Sequence, residues 1–599
     1  MCKSFKKYLA LIMVLVFTLS VFPVASVMAT PLEGNPELAR EVSPEGMVLL
    51  ENHALPLSRG QKVAIFGSGQ IDYVKGGGGS GNVNAPYIVN ILQGLKNKEN
   101  EGKIEIYKPL ADAYEEYFAS GNSGQMPLTD ELINGAADFC DTAIVVIHRY
   151  STEGSDRSAT KGDFYLSDVE VSMLDRVAEA FDKVIVVLNI GAVIDTSWID
   201  DYEDLTVLIA WQPGMEGGNA IADVLCGDAV PSGKLVDTFA SSYDDYPSST
   251  TFNESNNYVN YEEDIFVGYR YFETFDPDYE KVNYEFGYGL SYTTFDITDV
   301  EVTSDEENIY VSAKVTNTGN YPGKEVVQVY FSAPQGQLGK PGKELATFKK
   351  TKLLQPGESQ VLEMSFPIGD MSSYDDTGKV QKSAYVLEPG DYKIYVGNSI
   401  KDAGQRGVRY TYKVDELVVV EQLTERLKPK NLKKRLLADG TYEELYERPV
   451  ISATGVTKIE SEYFKEATEG TNFVRIEPFT DNGEIKYCVA YMNYANNFVS
   501  YDVYVEEAGT YNLTFRASNG RPLIEDMGKI YVNDVLQPVK LVLPQTGDGD
   551  GNFEWFNFIL MDPVKITLPQ GNVTIKIVSN GTFGNLDYML FEKVTEENN

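Results

Sequence analysis

The sequence predicts a multidomain protein: an α/β sandwich domain with a mostly parallel sheet, then a β-sandwich, then a second β-sandwich of jelly-roll type. Three observations carry this reading. Short β-branched runs without alternation are interleaved with helical patterns before residue 296, the apolar period changes to two after it, and Gly- and Asn-rich turns separate a further set of strand-like runs beyond residue 450. Hydrophobic residues make up 43% of the chain and aromatics 12%, enough to build packed cores in every domain.

Residues 1–29 read as an export signal. Lys3, Lys6 and Lys7 precede a short apolar run, Leu9 to Val21, and Val27-Met28-Ala29 offers small residues for cleavage. That run is short for a membrane span, and no later stretch reaches the length of about 18 apolar residues that spanning needs. The expectation is a secreted protein with no membrane span.

Residues 30–295 form the α/β domain. Val63-Ala64-Ile65-Phe66, Ala143 to Ile147, Val184 to Leu188 and Leu205 to Ala210 are apolar on consecutive positions, as strands buried on both faces must be. Between the second and third of these, Val171, Leu174, Val177, Ala178 and Phe181 recur at helical spacing behind an N-cap at Ser167-Asp168. Ligands of such folds bind at loops beyond the carboxyl ends of the strands.

Residues 296–418 alternate. Ile309 to Val315 and Glu325 to Phe331 are strand-like, and Gly319, Pro322-Gly323, Pro356-Gly357 and Pro389-Gly390 stand at turns, a pattern of the immunoglobulin or fibronectin type. Residues 419–450, with Lys428, Lys430, Lys433, Lys434 and Arg435, read as a linker or wrapping arm. Residues 451–599 carry the runs Val499 to Val505, Tyr511 to Phe515, Val564 to Leu568 and Val573 to Val578, which fit the jelly-roll sandwich.

The formal charge of −38 disfavours nucleic acid and anionic membrane as partners, since both would be repelled, and suits neutral ligands. Cys140, Cys226 and Cys488 are far apart in apolar surroundings, with no C-x-x-C, and read as packing residues. His53 and His148 are too few for a His-rich metal site or a Ser-His-Asp triad.

The segment Val145-Val146-Ile147-His148-Arg149-Tyr150-Ser151-Thr152-Glu153-Gly154-Ser155-Asp156-Arg157 takes a buried strand into a loop that presents a carboxyl at the strand's carboxyl end, with Arg157 close in sequence. Glycoside hydrolysis needs one carboxylic acid to protonate the leaving oxygen and a second carboxylate to attack the anomeric carbon. The Gly76-Gly77-Gly78-Gly79-Ser80-Gly81 run follows the first long strand. It lacks the lysine-serine ending and the helix-opening G-x-G-x-x-G of phosphate loops, so by itself it reads as a flexible turn.

Ser151, Glu153, Gly154, Asp156 and Arg157 match an S-x-E-G-x-D-R loop, and through it this region resembles glycoside hydrolase family 3. The resemblance extends over about 37–418. It includes Gly46 to Asn52, Ile190 to Val193, Trp211 to Gly218, Pro231 to Leu235, Tyr269 to Phe272, Phe286 to Tyr292, and the fibronectin type III-like stretches Asn317-Thr318-Gly319, Gly323 to Tyr330 and Pro356-Gly357-Glu358. It implies a β-glucosidase- or β-xylosidase-like enzyme that hydrolyses O-glycosyl bonds with retention. Glu153 would be the acid/base, and Arg157, Gly79, Ser80 and Gly81 would bind substrate. No catalytic cofactor is implied, and the ligand would be an oligo- or polysaccharide.

One family part is missing. The nucleophile is an Asp of an S-D-W segment on a (β/α)₈ barrel, and this sequence holds no S-D-W; Trp198, Trp211 and Trp555 are its three tryptophans. The barrel is expected in a longer parent chain or as a domain docking in trans. The alternative is a non-catalytic carbohydrate-binding or scaffold protein derived from such an enzyme.

Ile459-Glu460-Ser461-Glu462-Tyr463 and Phe583-Gly584-Asn585-Leu586-Asp587-Tyr588 resemble the opening and closing strands of carbohydrate-binding modules of families 6 and 35. That resemblance implies a structural calcium ion held by Glu460, Glu462 and Asp587, whose oxygen ligands suit a hard cation. It also implies a sugar platform from Asn585 with Tyr494 and Trp555.

Overall fold

The structure, a computed structural model, describes residues 34–595 apart from 154–155, 253–254, 256, 425–431, 446, 471 and 548–553. The expected export signal, Gly154 and the lysines 428 and 430 lie outside the described residues. Among the described residues no helix is long and apolar enough to cross a membrane. These residues fall into two compact units: one holds the chain up to Tyr246 and Phe266–Leu423, the other Pro247–Ile265 and the chain from Thr424 on.

The first unit opens with helix α1 (Asn35–Val42) and strand β1 (Val48–Glu51). The sheet continues with β2 (Gln61–Phe66), β3 (Ile104–Ile106), β4 (Thr142–Arg149), β5 (Lys183–Ile190) and β6 (Thr206–Ile209), in spatial order β1-β6-β5-β4-β2-β3. The long strands pair in parallel, and β1 closes one edge antiparallel to β6. Connecting helices are α2 (Ile91–Asn100), α3 (Lys108–Ala119), α4 (Asp130–Phe139), α5 (Asp168–Ala180) and α6 (Gly217–Leu225). Alternate residues of one strand serve separate cores: Phe66, Val145, Val186 and Val207 one, Ile65, Ile144, Ile185 and Leu208 the other. Both faces being covered is why the runs do not alternate.

Helix α5 begins where the sequence places its cap. The Ser167 hydroxyl accepts from Glu170 N, and the Glu170 carboxylate accepts from Ser167 N at 2.8 Å, a reciprocal capping box. Its buried stripe is Met173, Leu174 and Val177; Val171, expected on that stripe, is 38% exposed and stands clear of it.

From Phe295 the unit continues as two antiparallel sheets, one of three strands (Phe295–Ser304, Asn308–Asn317, Ser359–Pro367) and one of four (Val326–Ser332, Glu344–Lys350, Gly390–Gly397, Tyr410–Val414). Ile309, Val311, Val327, Val329, Ile394 and Val396 fill the core they share. The linker expected over 419–450 holds regular structure instead. Val418–Gln422 pairs with Ala384–Leu387, and Lys434–Leu436 forms a ladder with Tyr442–Glu444, where Arg435 Nε bonds Glu443 at 2.8 Å.

The second unit has a six-stranded and a seven-stranded sheet around one core, to which Val499, Tyr501 and Ile577 contribute from the first and Phe515, Met589 and Phe591 from the second. Residues 247–265 belong to it despite their place in the sequence. Asn257 accepts from Ile476 N at 3.1 Å and donates to Val474 O, and Tyr258 packs against the core.

Candidate functional site

The site is the loop cluster at the carboxyl ends of β2, β4, β5 and β6. After β4 the chain turns through Tyr150, Ser151 and Thr152 to Glu153, which is exposed. The Gly-rich loop after β2 lies directly on this turn. Gly78 N donates to Ser151 O at 3.1 Å, a Cβ on Gly78 would collide with Thr152 Oγ1 and the Tyr150 hydroxyl, and a Cβ on Gly77 would stand 3.2 Å from Ser151 O. Gly79 has φ 58°, and its missing Cβ would come 3.3 Å from Glu153 Oε2. The glycines therefore allow backbone to approach backbone beside the carboxyl. Gly79–Gly81 closes as a 3₁₀ turn in which all three residues are exposed, and of its two glycines Gly79 is the one whose Cβ position meets Glu153.

Arg157 holds the loop rather than reaching out of it. Its Nη2 donates to Ser151 Oγ at 2.8 Å and Tyr150 O at 3.2 Å, and its Nη1 bonds Asp163 Oδ1 at 2.5 Å. Partial burial pushes the Asp163 carboxyl up, but the bonds from Arg157 and Ser158 outweigh it and leave it below the ordinary value. Arg149, at the end of β4, forms a two-pronged pair with Glu170 at 2.7 and 2.8 Å and donates to Asp163 O at 2.9 Å. Strand end, helix cap and loop return are thus locked together.

Two further residues escape the sequence reading. Asn189, fully buried near the end of β5, accepts from Val74 N at 2.8 Å and donates to Val74 O at 2.9 Å and Trp211 O at 2.6 Å. One carboxamide so ties the stem of the Gly-rich loop to the loop after β6. Its signal was a lone amide within an apolar run. Glu216, 6% exposed, accepts from the Tyr87 hydroxyl at 2.6 Å and from Asn219 Nδ2 at 2.7 Å, which holds the 83–90 segment down. On this face Val83, Ile88 and Tyr150 are exposed apolar side chains. Burial lowers the His148 pKa, although Asp72 Oδ2 stands 3.5 Å from Nε2.

In the second unit the expected calcium ligands are spread over other partners. Asp587, 1% exposed, bonds Arg516; Glu460 accepts from Lys458 Nζ at 2.6 Å; Glu462 Oε2 is buried and has no partner. Among the described residues no three His, Cys, Asp or Glu side chains are gathered so as to hold a metal. Two of the three carboxylates are already neutralised by side-chain cations, so the set does not fit a calcium ion. Burial, then the Glu460 and Asp587 charges, push Glu462 up to about 7.

The sugar-platform residues divide. Asn585 donates its amide to Trp555 O at 2.8 Å, and the Trp555 ring covers Gly520 with Arg521 5.6 Å from its centroid. Tyr494 is exposed, and no ring contact joins it to Trp555 among the described residues. Cys488 is buried and Cys140 and Cys226 half-buried, all three free.

Comparison with known proteins matches this architecture. Residues 47–292 match the glycosyl hydrolase family 3 C-terminal domain, and 325–400 a fibronectin type III-like domain. The chain is 46% identical over 457 residues to β-glucosidase A of Butyrivibrio fibrisolvens and 40% identical over 423 residues to a β-glucosidase of Ruminococcus albus. Each alignment takes in 68% of this chain, but only 55% and 44% of those proteins' own lengths. The structure of β-glucosidase 3B from Thermotoga neapolitana, solved with α-D-glucose, aligns at a TM-score of 0.58 and 40% identity, covering 65% of this chain and 55% of that one. A β-glucosidase from Paenibacillus barengoltzii shares the fold at a TM-score of 0.62 over 94% of this chain, at 24% identity. The chain is thus similar over 47–292 to the C-terminal domain of glycosyl hydrolase family 3 and over 325–400 to a fibronectin type III-like domain.

Proposed function

We propose that this chain is the acid/base portion of a secreted, retaining glycoside hydrolase of β-glucosidase type. The single observation behind the reading is the placement of Glu153: an exposed carboxyl at a strand's carboxyl end, in a loop held by Arg157 and pressed by Gly79. In the proposed reaction the Glu153 carboxylic acid gives its proton to the leaving glycosidic oxygen as the C–O bond breaks and a nucleophilic carboxylate bonds the anomeric carbon. The Glu153 carboxylate then takes a proton from water, whose oxygen displaces the carboxylate and restores it. Arg157 is a positioning residue for that loop, and Asn189 for the Gly-rich loop that lies on it.

The nucleophile belongs on a (β/α)₈ barrel, in a longer parent chain or docked in trans. The missing S-D-W segment favours a second reading for the chain by itself, a non-catalytic carbohydrate-binding protein. An assay of the purified chain with aryl β-glucoside and β-xyloside, beside Glu153→Gln, tests both. Turnover that falls about 10²-fold or more in Glu153→Gln supports the acid/base role. Turnover retained in the variant removes it, and an inert wild type with measurable sugar binding by the chain supports the second reading.

A further inference from the structure

The neutralised carboxylates of the second unit call for an account of their own, independent of the reaction proposed above. Strand Gly509–Ser518 pairs with Asn585–Lys593, with Arg516 opposite Tyr588 and Ala517 opposite Leu586. Asp587 is the extra residue of this β-bulge, and a bulge re-aims a side chain that regular alternation would send elsewhere. Here Asp587 Oδ2 receives Arg516 Nη1. The same Nη1 stands 3.2 Å from Asp481 Oδ2, which also receives Lys486 Nζ at 2.8 Å.

On the neighbouring strand Glu460 lies opposite Tyr588, placing Glu460, Tyr588 and Arg516 in one row across three strands. The rings of Phe558 and Tyr588 lie 5.3 and 5.7 Å from the guanidinium, and Lys458 stands 4.2 Å over Tyr588. The guanidinium is thus held by carboxylates and ring faces together, and Arg suits such a site because its charge is permanent and its donors lie in a rigid plane.

We propose that Arg516 is a built-in cation of this unit: it compensates Asp587 and Asp481, the two carboxylates it meets, so that this row needs no metal ion to be stable. Removing Arg516 leaves Asp587 buried and uncompensated, which creates a demand for a mobile cation.

Calorimetric unfolding of the full chain in a chelator and in millimolar calcium chloride, against sodium chloride of equal ionic strength, tests this. The wild type is expected to unfold at the same temperature in all three. Arg516→Gln is expected to lose about 5 °C or more, with part of the loss restored by calcium and not by sodium. Arg516→Lys, which keeps a cation, is expected to stay indifferent to calcium. A wild type destabilised by chelator or stabilised by calcium overturns the proposal, as does a folded Arg516→Gln that calcium leaves unchanged. Should Arg516→Gln fail to fold, calcium sensitivity in the wild type or in Arg516→Lys overturns the proposal, and indifference in both supports it.

Discussion

A carboxamide inside an apolar strand has three hydrogen-bonding positions of consequence to satisfy, and Asn189 satisfies them on two loops at once. Neither Val74 nor Trp211 has a strand ladder to supply those bonds, so the side chain substitutes for one. Asn189→Leu strands Val74 N–H, Val74 C=O and Trp211 C=O in a water-free setting. The expected loss is about 3 kcal/mol in urea unfolding. Asn189→Asp keeps the acceptor for Val74 N but sets a buried carboxyl against the carbonyl oxygens of Val74 and Trp211, and should cost at least as much. Amide exchange over 76–81 should quicken in both variants, since the stem of the Gly-rich loop is what the amide holds. Unchanged exchange there would separate Asn189 from the site.

At the scale of elements, α5 shows a local signal and a non-local consequence together. Ser167 announces the cap in sequence, while Glu170 closes it as a capping box and Arg149, from the end of β4, pairs with Glu170. Burial raises the Glu170 carboxyl pKa, but its bonds to Arg149 and Ser167 outweigh this, and the net value lies below the ordinary 4.5. The stabilisation from a depressed acid is present above its unfolded value and is lost as pH falls through the folded one. Glu170→Gln is therefore expected to cost about 3 kcal/mol at pH 7. The two stability curves should converge below pH 4.5, where the wild type loses its advantage; a constant gap down to strong acid would refute the assignment. The parallel strands were legible because burial on both faces leaves unbroken apolar runs, and α5 because its cap is local. Val171 was misjudged because the packed stripe runs through Met173 instead. The Asp587 bulge and the contacts of Gly78 had no local signature, for both depend on which distant backbone lies alongside.

At the scale of the whole chain, domain boundaries drawn along the sequence miss the excursion 247–265. A contiguous reading assigns it to the α/β domain, whereas its bonds are to the second unit: Asn257 with Val474 and Ile476, Ser255 Oγ to Glu469 Oε1 at 2.9 Å, and Glu262 O accepting from Leu436 N at 2.7 Å. Glu262 also pairs with Lys434 at 3.1 Å. Side-chain amides that bond an edge backbone replace a missing strand, so the segment needs that surface for its own order. A chain ending at residue 450 loses the core on which Tyr258 packs and the partners of Asn257 and Ser255, while the α/β and fibronectin type III-like cores keep all their residues. Limited proteolysis of that truncated chain is expected to cut within 247–265 about tenfold faster than in the full chain. Asn257→Ala in the full chain should give a smaller increase at the same place, because Tyr258 and Glu262 remain held. Equal resistance in the truncated and full chains would mean that the first unit alone orders the segment, and the excursion would lose its meaning as part of the second.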